Sequence, residues 1–189
     1  RHIIYEERLH GKLESDDMQN MAMAYAVSKE KKREVITKMI TELCVSGVNS
    51  IVKKEERLQQ IRSLFDLDGI TIYSESGAQL VCRNGNYMVE VPDGRGLFED
   101  EKYLALFGDD DNFIESNTLK LRSQDPAAFA VMQKQEIGAF LQCLSRKEGV
   151  PNVIVNYDVF NRNRKWSDED ITLLTILGHC IGNLLNYSE

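Results

Sequence analysis

Three polar side chains occupy positions that strands ordinarily bury. In the run Asn152 to Phe160, valines and a tyrosine (Val153, Val155, Tyr157, Val159) alternate with Asn152, Ile154, Asn156 and Asp158. Successive strand side chains point to opposite faces, so the valine-rich set marks a face packed on helices and the Asn156/Asp158 set faces the other way. Gln142, in the preceding run Ile137 to Ser145, is placed to join them. A buried amide or carboxyl group must find hydrogen-bond partners, either in the backbone of a covering loop or in a bound molecule, so the chemistry on offer is recognition of a small ligand. The plainer alternative is that Asp158 ties down the adjacent loop. Five aromatic residues, Tyr87, Phe98, Tyr103, Phe107 and Phe113, bracket the stretch that would cover this face. They can wall an apolar pocket or form a satellite core under a long loop.

Other chemistries find less support. His2 and His10 lie near the N-terminus and His179 in the last helical run, no Ser or Cys sits in a glycine elbow, and Gly94-Arg95-Gly96 is too short to cradle phosphates. The acidic groups Glu99-Asp100-Glu101 and Asp109-Asp110-Asp111 lack the alternating ligands and placed glycine of a calcium loop and read as solvated surface. Cys44, Cys82, Cys143 and Cys180 show no C-x-x-C spacing. They read as buried apolar side chains in a reducing compartment, which points to the cytoplasm.

The elements that must position these groups follow from periodicity. Ser15-Asp16-Asp17 can cap a helix whose apolar residues Met18, Met21, Ala22 and Tyr25 stay in phase with Ile36, Met39, Ile40 and Leu43, so one rod is expected from about Asp16 to Cys44. Gly47 breaks it, and a second amphipathic helix is expected from about Asn49 to Phe65. Strands follow at Gly69–Tyr73 and Ala78–Cys82 around a Glu75-Ser76-Gly77 turn, and a further strand at Tyr87–Val91 after Asn84-Gly85. The acidic, glycine-containing stretch from Pro92 to about Asn117 holds a short apolar helix at Tyr103–Phe107 and is long enough to be a cover over a cavity. Pro126 opens a helix through Met132. Strands Ile137–Ser145 and Asn152–Phe160 flank a turn at Arg146–Pro151. Ser167 caps a final helix in which Asp170 is expected to reach back to the Ser167 N–H, with Trp166 and Ile171 as a hydrophobic staple. On that helix Thr172, Thr175, His179, Asn183 and Asn186 form a polar stripe, and Gly178 and Gly182 would admit a neighbouring helix as a dimer seam.

A chain of 189 residues, 42% of them hydrophobic, suits one buried core with an appendage. A net charge of −7 argues against a nucleic-acid partner, which would need clustered Lys and Arg. No apolar run approaches the roughly 20 residues that span a bilayer, and no leader pattern precedes the domain. The chain reads as soluble, and Arg1 in place of a starting methionine reads as a piece of something longer.

The order of these elements, ending in Gln135-Glu136-Ile137-Gly138-Ala139-Phe140-Leu141-Gln142-Cys143-Leu144, Val153-Ile154-Val155-Asn156-Tyr157-Asp158 and Arg164-Lys165-Trp166-Ser167-Asp168-Glu169-Asp170-Ile171, resembles a GAF domain over about Glu34 to Tyr187. It is particularly similar to the GAF modules of bacterial signalling proteins with a diguanylate cyclase or related output domain. The resemblance implies an α+β fold: an antiparallel sheet with N- and C-terminal helices on one face and a lidded cavity on the other, preceded by a long N-terminal helix. Residues 1–33 would then be a signalling helix and residues 34–189 the sensory domain. Family members bind cyclic nucleotides, tetrapyrroles, haem, amino acids or other metabolites, or only dimerise. The chain departs from the Asn-Lys-x-Asp-Glu type motif of cyclic-nucleotide binders and from the Cys and His arrangement that anchors a bilin. The resemblance thus implies a module without catalysis of its own, taking an unidentified small molecule at Tyr87, Phe98, Tyr103, Phe107, Phe113, Gln142, Asn156 and Asp158. It would form a homodimer through its N- and C-terminal helices. The alternative is a purely structural dimerisation domain.

Overall fold

A computed structural model describes residues 2–46, 55–84 and 93–186. The expected Tyr87–Val91 strand, Tyr87 itself, the break at Gly47 and the start of the second helix lie outside the described residues. The first helix, α1 (His2–Ser46), is continuous through Lys29–Glu34, as the in-phase apolar stripes require, but it begins well before Asp16, so Ser15-Asp16-Asp17 lies within the helix and does not cap it. Residues 15–28 are exposed along its whole circumference, and burial begins only with Val35, Ile36, Met39 and Leu43. Helix α2 (Glu55–Leu64) follows, then strands β1 (Gly69–Ser74) and β2 (Gly77–Arg83). A 3₁₀ turn (Arg95–Phe98) and a short helix α3 (Glu101–Leu104) lead to β3 (Asn112–Glu115), α4 (Leu121–Gln124) and α5 (Pro126–Lys134). Strands β4 (Ile137–Lys147) and β5 (Val150–Phe160) and helix α6 (Asp168–Asn186) complete the described chain.

The five strands form one antiparallel sheet in the order β2-β1-β5-β4-β3. The alternation read from β5 holds. Val153, Val155, Tyr157 and Val159, with Ala139, Leu141 and Cys143 of β4, pack against α1, α2 and α6 in the larger core. The opposite face presents Phe140, Leu144, Ile154 and Phe160 to a second core roofed by the chain between β2 and β4.

Further expectations are corrected. The stretch up to Asn117 is not cover alone: it ends in β3, the sheet edge beside β4, whose four residues are too few to show a period. The β4–β5 turn is the two residues Glu148 and Gly149, both at positive φ, and not the six from Arg146 to Pro151. A two-residue turn with both φ positive matches the twist of the flanking strands, so pairing runs to Lys147 and Val150. At α6 the Ser167 hydroxyl accepts from the Asp170 N–H at 3.1 Å as expected, but the Asp170 carboxylate does not turn back to Ser167. It accepts from Lys32 Nζ at 2.8 Å and Arg164 Nη2 at 2.9 Å, charged donors that outcompete a backbone N–H.

Gly178 and Gly182 do not form a free seam either. They face β4, where an added Cβ would lie 2.6 Å from Cys143 Sγ and 2.1 Å from Ser145 Oγ respectively. Part of the polar stripe is likewise used within the chain: His179 Nε2 pairs with Asn112 Oδ1 at 2.8 Å, and Asn186 Nδ2 donates to the Arg146 carbonyl at 3.1 Å. Gly178→Ala and Gly182→Ala should therefore each destabilise the chain itself by roughly 1–3 kcal/mol through overpacking. Urea unfolding of Gly178→Ala, with and without Cys143→Ala to make room, checks this. The second substitution should return part of the loss.

Candidate functional site

The outer face of the sheet is covered by two pieces with different results. The first is the aromatic plug. Asp100 accepts from the Tyr103 N–H and so starts α3, which turns Tyr103 and Phe107 down onto the sheet. Tyr103, Phe107, Phe113 and Phe140 then meet edge to face, with centroids 4.9–6.0 Å apart. Such a cluster fills space as well as covering it. The second piece leaves a hollow. The loop through Gly94 and Leu97, together with α5, stands off the sheet and leaves a half-open cavity of about 250 Å³. Gly94 has φ 77° and lies so close to Tyr73 that an added Cβ would sit 2.2 Å from its ring, so the loop can rest on Tyr73 only with glycine there. Asp125 caps α5 by accepting from the Ala128 N–H, and Pro126 occupies the first turn. Ala128, Met132 and Gln135 fall on one helical face toward the hollow.

The predicted site residues divide between these pieces. Gln142 and Asn156 line the cavity, and they are paired across β4 and β5. Tyr103, Phe107 and Phe113 belong to the plug, and Phe98 packs partly buried against it. Asp158 lies behind Asn156, buried, and is not among the lining residues. The loop-tying task considered for Asp158 falls to Asp68, whose Oδ2 accepts from the Phe160 N–H at 2.8 Å. Sequence reasoning passed over Tyr73, Leu97, Asp100, Val131, Met132 and Gln135 as lining residues. The i, i+4, i+7 spacing of Ala128, Met132 and Gln135 was a readable signal for the α5 wall.

A line of polar groups crosses the outer face. The Tyr103 hydroxyl donates to Gln142 Oε1, and Asn156 Nδ2 donates to Asp158 Oδ2 at 2.8 Å. Asn156 Oδ1 and Asp158 Oδ1 are buried with no partner, as is Asp125 Oδ2. Native folds leave few such atoms, because each forfeits its hydration. Burial pushes the Asp158 carboxyl up to about 7, against the hydrogen bond from Asn156 and the charge of Arg83, which both oppose the shift. Burial likewise raises the Tyr73 and Tyr103 hydroxyls, with Asp158 adding to both. The cysteines stand elsewhere: Cys82 and Cys143 lie in the core on the helical side, Cys44 on α1 and Cys180 on α6. No group of three His, Cys, Asp or Glu side chains suited to a metal occurs among the described residues. The described lining supplies hydrogen-bonding amides, a carboxylate, a phenol and apolar surface, which together can hold a small molecule.

Sheet order, helices on one face and a roofed opposite face define the GAF fold, and solved structures agree. GAF3 of Slr1393 from Synechocystis sp. PCC6803, in its photoproduct state, aligns with a TM-score of 0.55 at 13% identity over 75% of this chain and 94% of its own. The phycoerythrobilin-bound GAF domain of a cyanobacterial phytochrome gives 0.58 at 10% identity over 86% and 97%. The GAF domain region of a putative membrane protein from Geobacter sulfurreducens PCA gives 0.51 at 16% identity over 77% and 99%. At these identities the likeness is one of fold. No family model and no curated protein matches the sequence. Among the described residues, no helix is long and apolar enough to cross a membrane.

Proposed function

We propose that this chain is the sensory module of a bacterial signal-transduction protein, cytoplasmic and without catalysis of its own. It binds a small molecule on the outer face of its sheet, dimerises through α1, and controls an attached output domain such as a diguanylate cyclase. Residues 1–33 serve as the signalling helix and residues 34–189 as the sensory domain. The observation that carries the reading is the roughly 250 Å³ cavity with buried Gln142 and Asn156 on its wall. A structural domain would gain stability by filling that space and would have no use for orphaned acceptors beside it.

A bilin of the kind held by the phytochrome GAF domain fits this chain poorly. The cavity is below the roughly 300–1,000 Å³ usual for drug-sized ligands, the aromatic plug takes the adjoining room, and none of the four cysteines lies on its wall. The dimer through α1 is supported by the exposed Met18, Met21 and Tyr25 on a helix that stands clear of the core over residues 15–28.

A route from roof to helix runs through the end of β3. The Glu115 carbonyl accepts from Trp166 Nε1 at 3.3 Å and the Ser116 carbonyl from the Arg164 N–H at 3.0 Å, while Arg164 holds Asp170, which holds Lys32 of α1. A ligand shifts α1 along this route by no more than its differential affinity for two arrangements of the roof. The test is a thermal-shift screen of the whole chain against amino acids, nucleotides, amines and small carboxylates, with light scattering alongside. A saturable rise in melting temperature for one class supports the sensor. Silence across the panel with the dimer intact favours a dimerisation scaffold.

A further inference from the structure

The lining of the cavity limits what it can accept, and this inference rests on its being a ligand site. Leu97, Val131, Met132 and Ile137 make its wall mostly apolar, and at about 250 Å³ it suits a body on the order of ten non-hydrogen atoms at ordinary packing density. Gln142 brings its amide N–H donors to the wall, and the polar atoms of Asn156 and Asp158 buried without a partner are acceptors. Gln142 Oε1 is already taken by the Tyr103 hydroxyl, whereas Asn156 Oδ1 and, behind it, Asp158 Oδ1 remain acceptors without donors.

Charge points the same way. Asp100 is on the wall, Asp158 is buried behind it, and Asp125 is buried at the head of α5 with Oδ2 unpartnered. None of the described lining residues is a cation. Arg83 is engaged beside the site, donating to Gln135 Oε1 at 3.0 Å and lying 5.3 Å over the Phe160 ring. An anionic ligand would enter against the Asp100 carboxylate with no cation among the described lining residues, while a protonated amine brings three N–H donors to a wall that carries an acidic group.

We propose that the cavity is a receptor site for a small primary amine with an apolar body, and that it rejects carboxylates and phosphates of the same size. The apolar part lies along Leu97, Val131 and Met132, and the ammonium group meets the polar part of the wall, the Asp100 carboxylate and the Asn156 amide.

The test uses three matched probes on the full chain: 2-phenylethylamine, 2-phenylethanol and phenylacetate, followed by saturation-transfer NMR and calorimetry. The amine should bind at least about ten-fold more tightly than the alcohol, the cost of leaving the acceptors unmet by a charged donor, and phenylacetate should not compete. Val131→Trp, a change at an exposed position on the cavity wall, should abolish amine binding while leaving the circular dichroism melt in place. Asn156→Val should weaken the amine by about ten-fold or more and leave the alcohol unchanged. Phenylacetate binding as tightly as the amine, amine binding that survives Val131→Trp, or no binding of the amine would each overturn the assignment. The sensory reading falls only if the wider thermal-shift panel is silent as well.

Discussion

Asp170→Ala should lower the unfolding free energy by about 3–5 kcal/mol, the range found when one partner of a buried ion pair is removed and the other is left uncompensated. The Asp170 side chain is only 8% exposed and that of Arg164 11%. Without Asp170, Arg164 keeps the hydrogen bond from Nη1 to the Asp66 carbonyl at 3.0 Å, but its guanidinium lies 4.2 Å over the Trp166 ring and burial already works against its charge. The same carboxylate receives Lys32 from α1, so the substitution also loosens the docking of that helix. Urea unfolding followed by circular dichroism measures the loss. Arg164→Met made together with Asp170→Ala should cost clearly less than the two single changes summed, because the stranded charge is then absent. A loss no larger than that of an exposed pair would mean that this junction is solvated. Glu169→Ala offers the contrast: its partners Arg33 and Lys29 are half and one-third exposed, and such pairs contribute little.

The second large effect concerns pH. With Asp158 raised to about 7 when folded and near 4 when unfolded, the folded chain holds one more proton between those values. The slope of unfolding free energy with pH follows protons bound in the unfolded minus the folded state, so it is negative there. Stability is thus greatest below pH 4 as far as this group is concerned and falls as pH rises to about 7. Asp158→Asn removes the ionisation while keeping the shape. It should stabilise the chain at pH 8 by at most about 4 kcal/mol, at 1.36 kcal/mol per pK unit over about three units, and by little at pH 4. Urea midpoints of the two proteins from pH 4 to pH 8 check this. Parallel curves would show that Asp158 ionises freely in the folded state.

How far the fold was readable depends on whether a segment's pattern or its neighbours decide its structure. Helix α6, the alternation along β5 and the continuity of α1 were visible because many residues repeat one period against one large core. Strand β3 was not, since four residues carry no period and it exists only because β4 offers an edge. Asp170 is a similar case. Its spacing from Ser167 matches a local cap, but Lys32 and Arg164 approach from elsewhere and provide stronger donors. Gly178 and Gly182 match a helix–helix spacing, and a sheet facing them is equally well served by missing side chains. Within the site, Gln142 and Asn156 could be found from strand alternation. The division of the roof into an aromatic plug and a hollow could not, because it depends on where Asp100 and Asp125 start their helices.

The exposed stretch of α1 has a mechanical consequence. Fourteen residues, 15–28, at 1.5 Å each make an arm about 21 Å long, clamped at one end near Lys32. A tilt of about ten degrees at the clamp carries Ser15 sideways by about 4 Å, a displacement comparable to the width of a side chain.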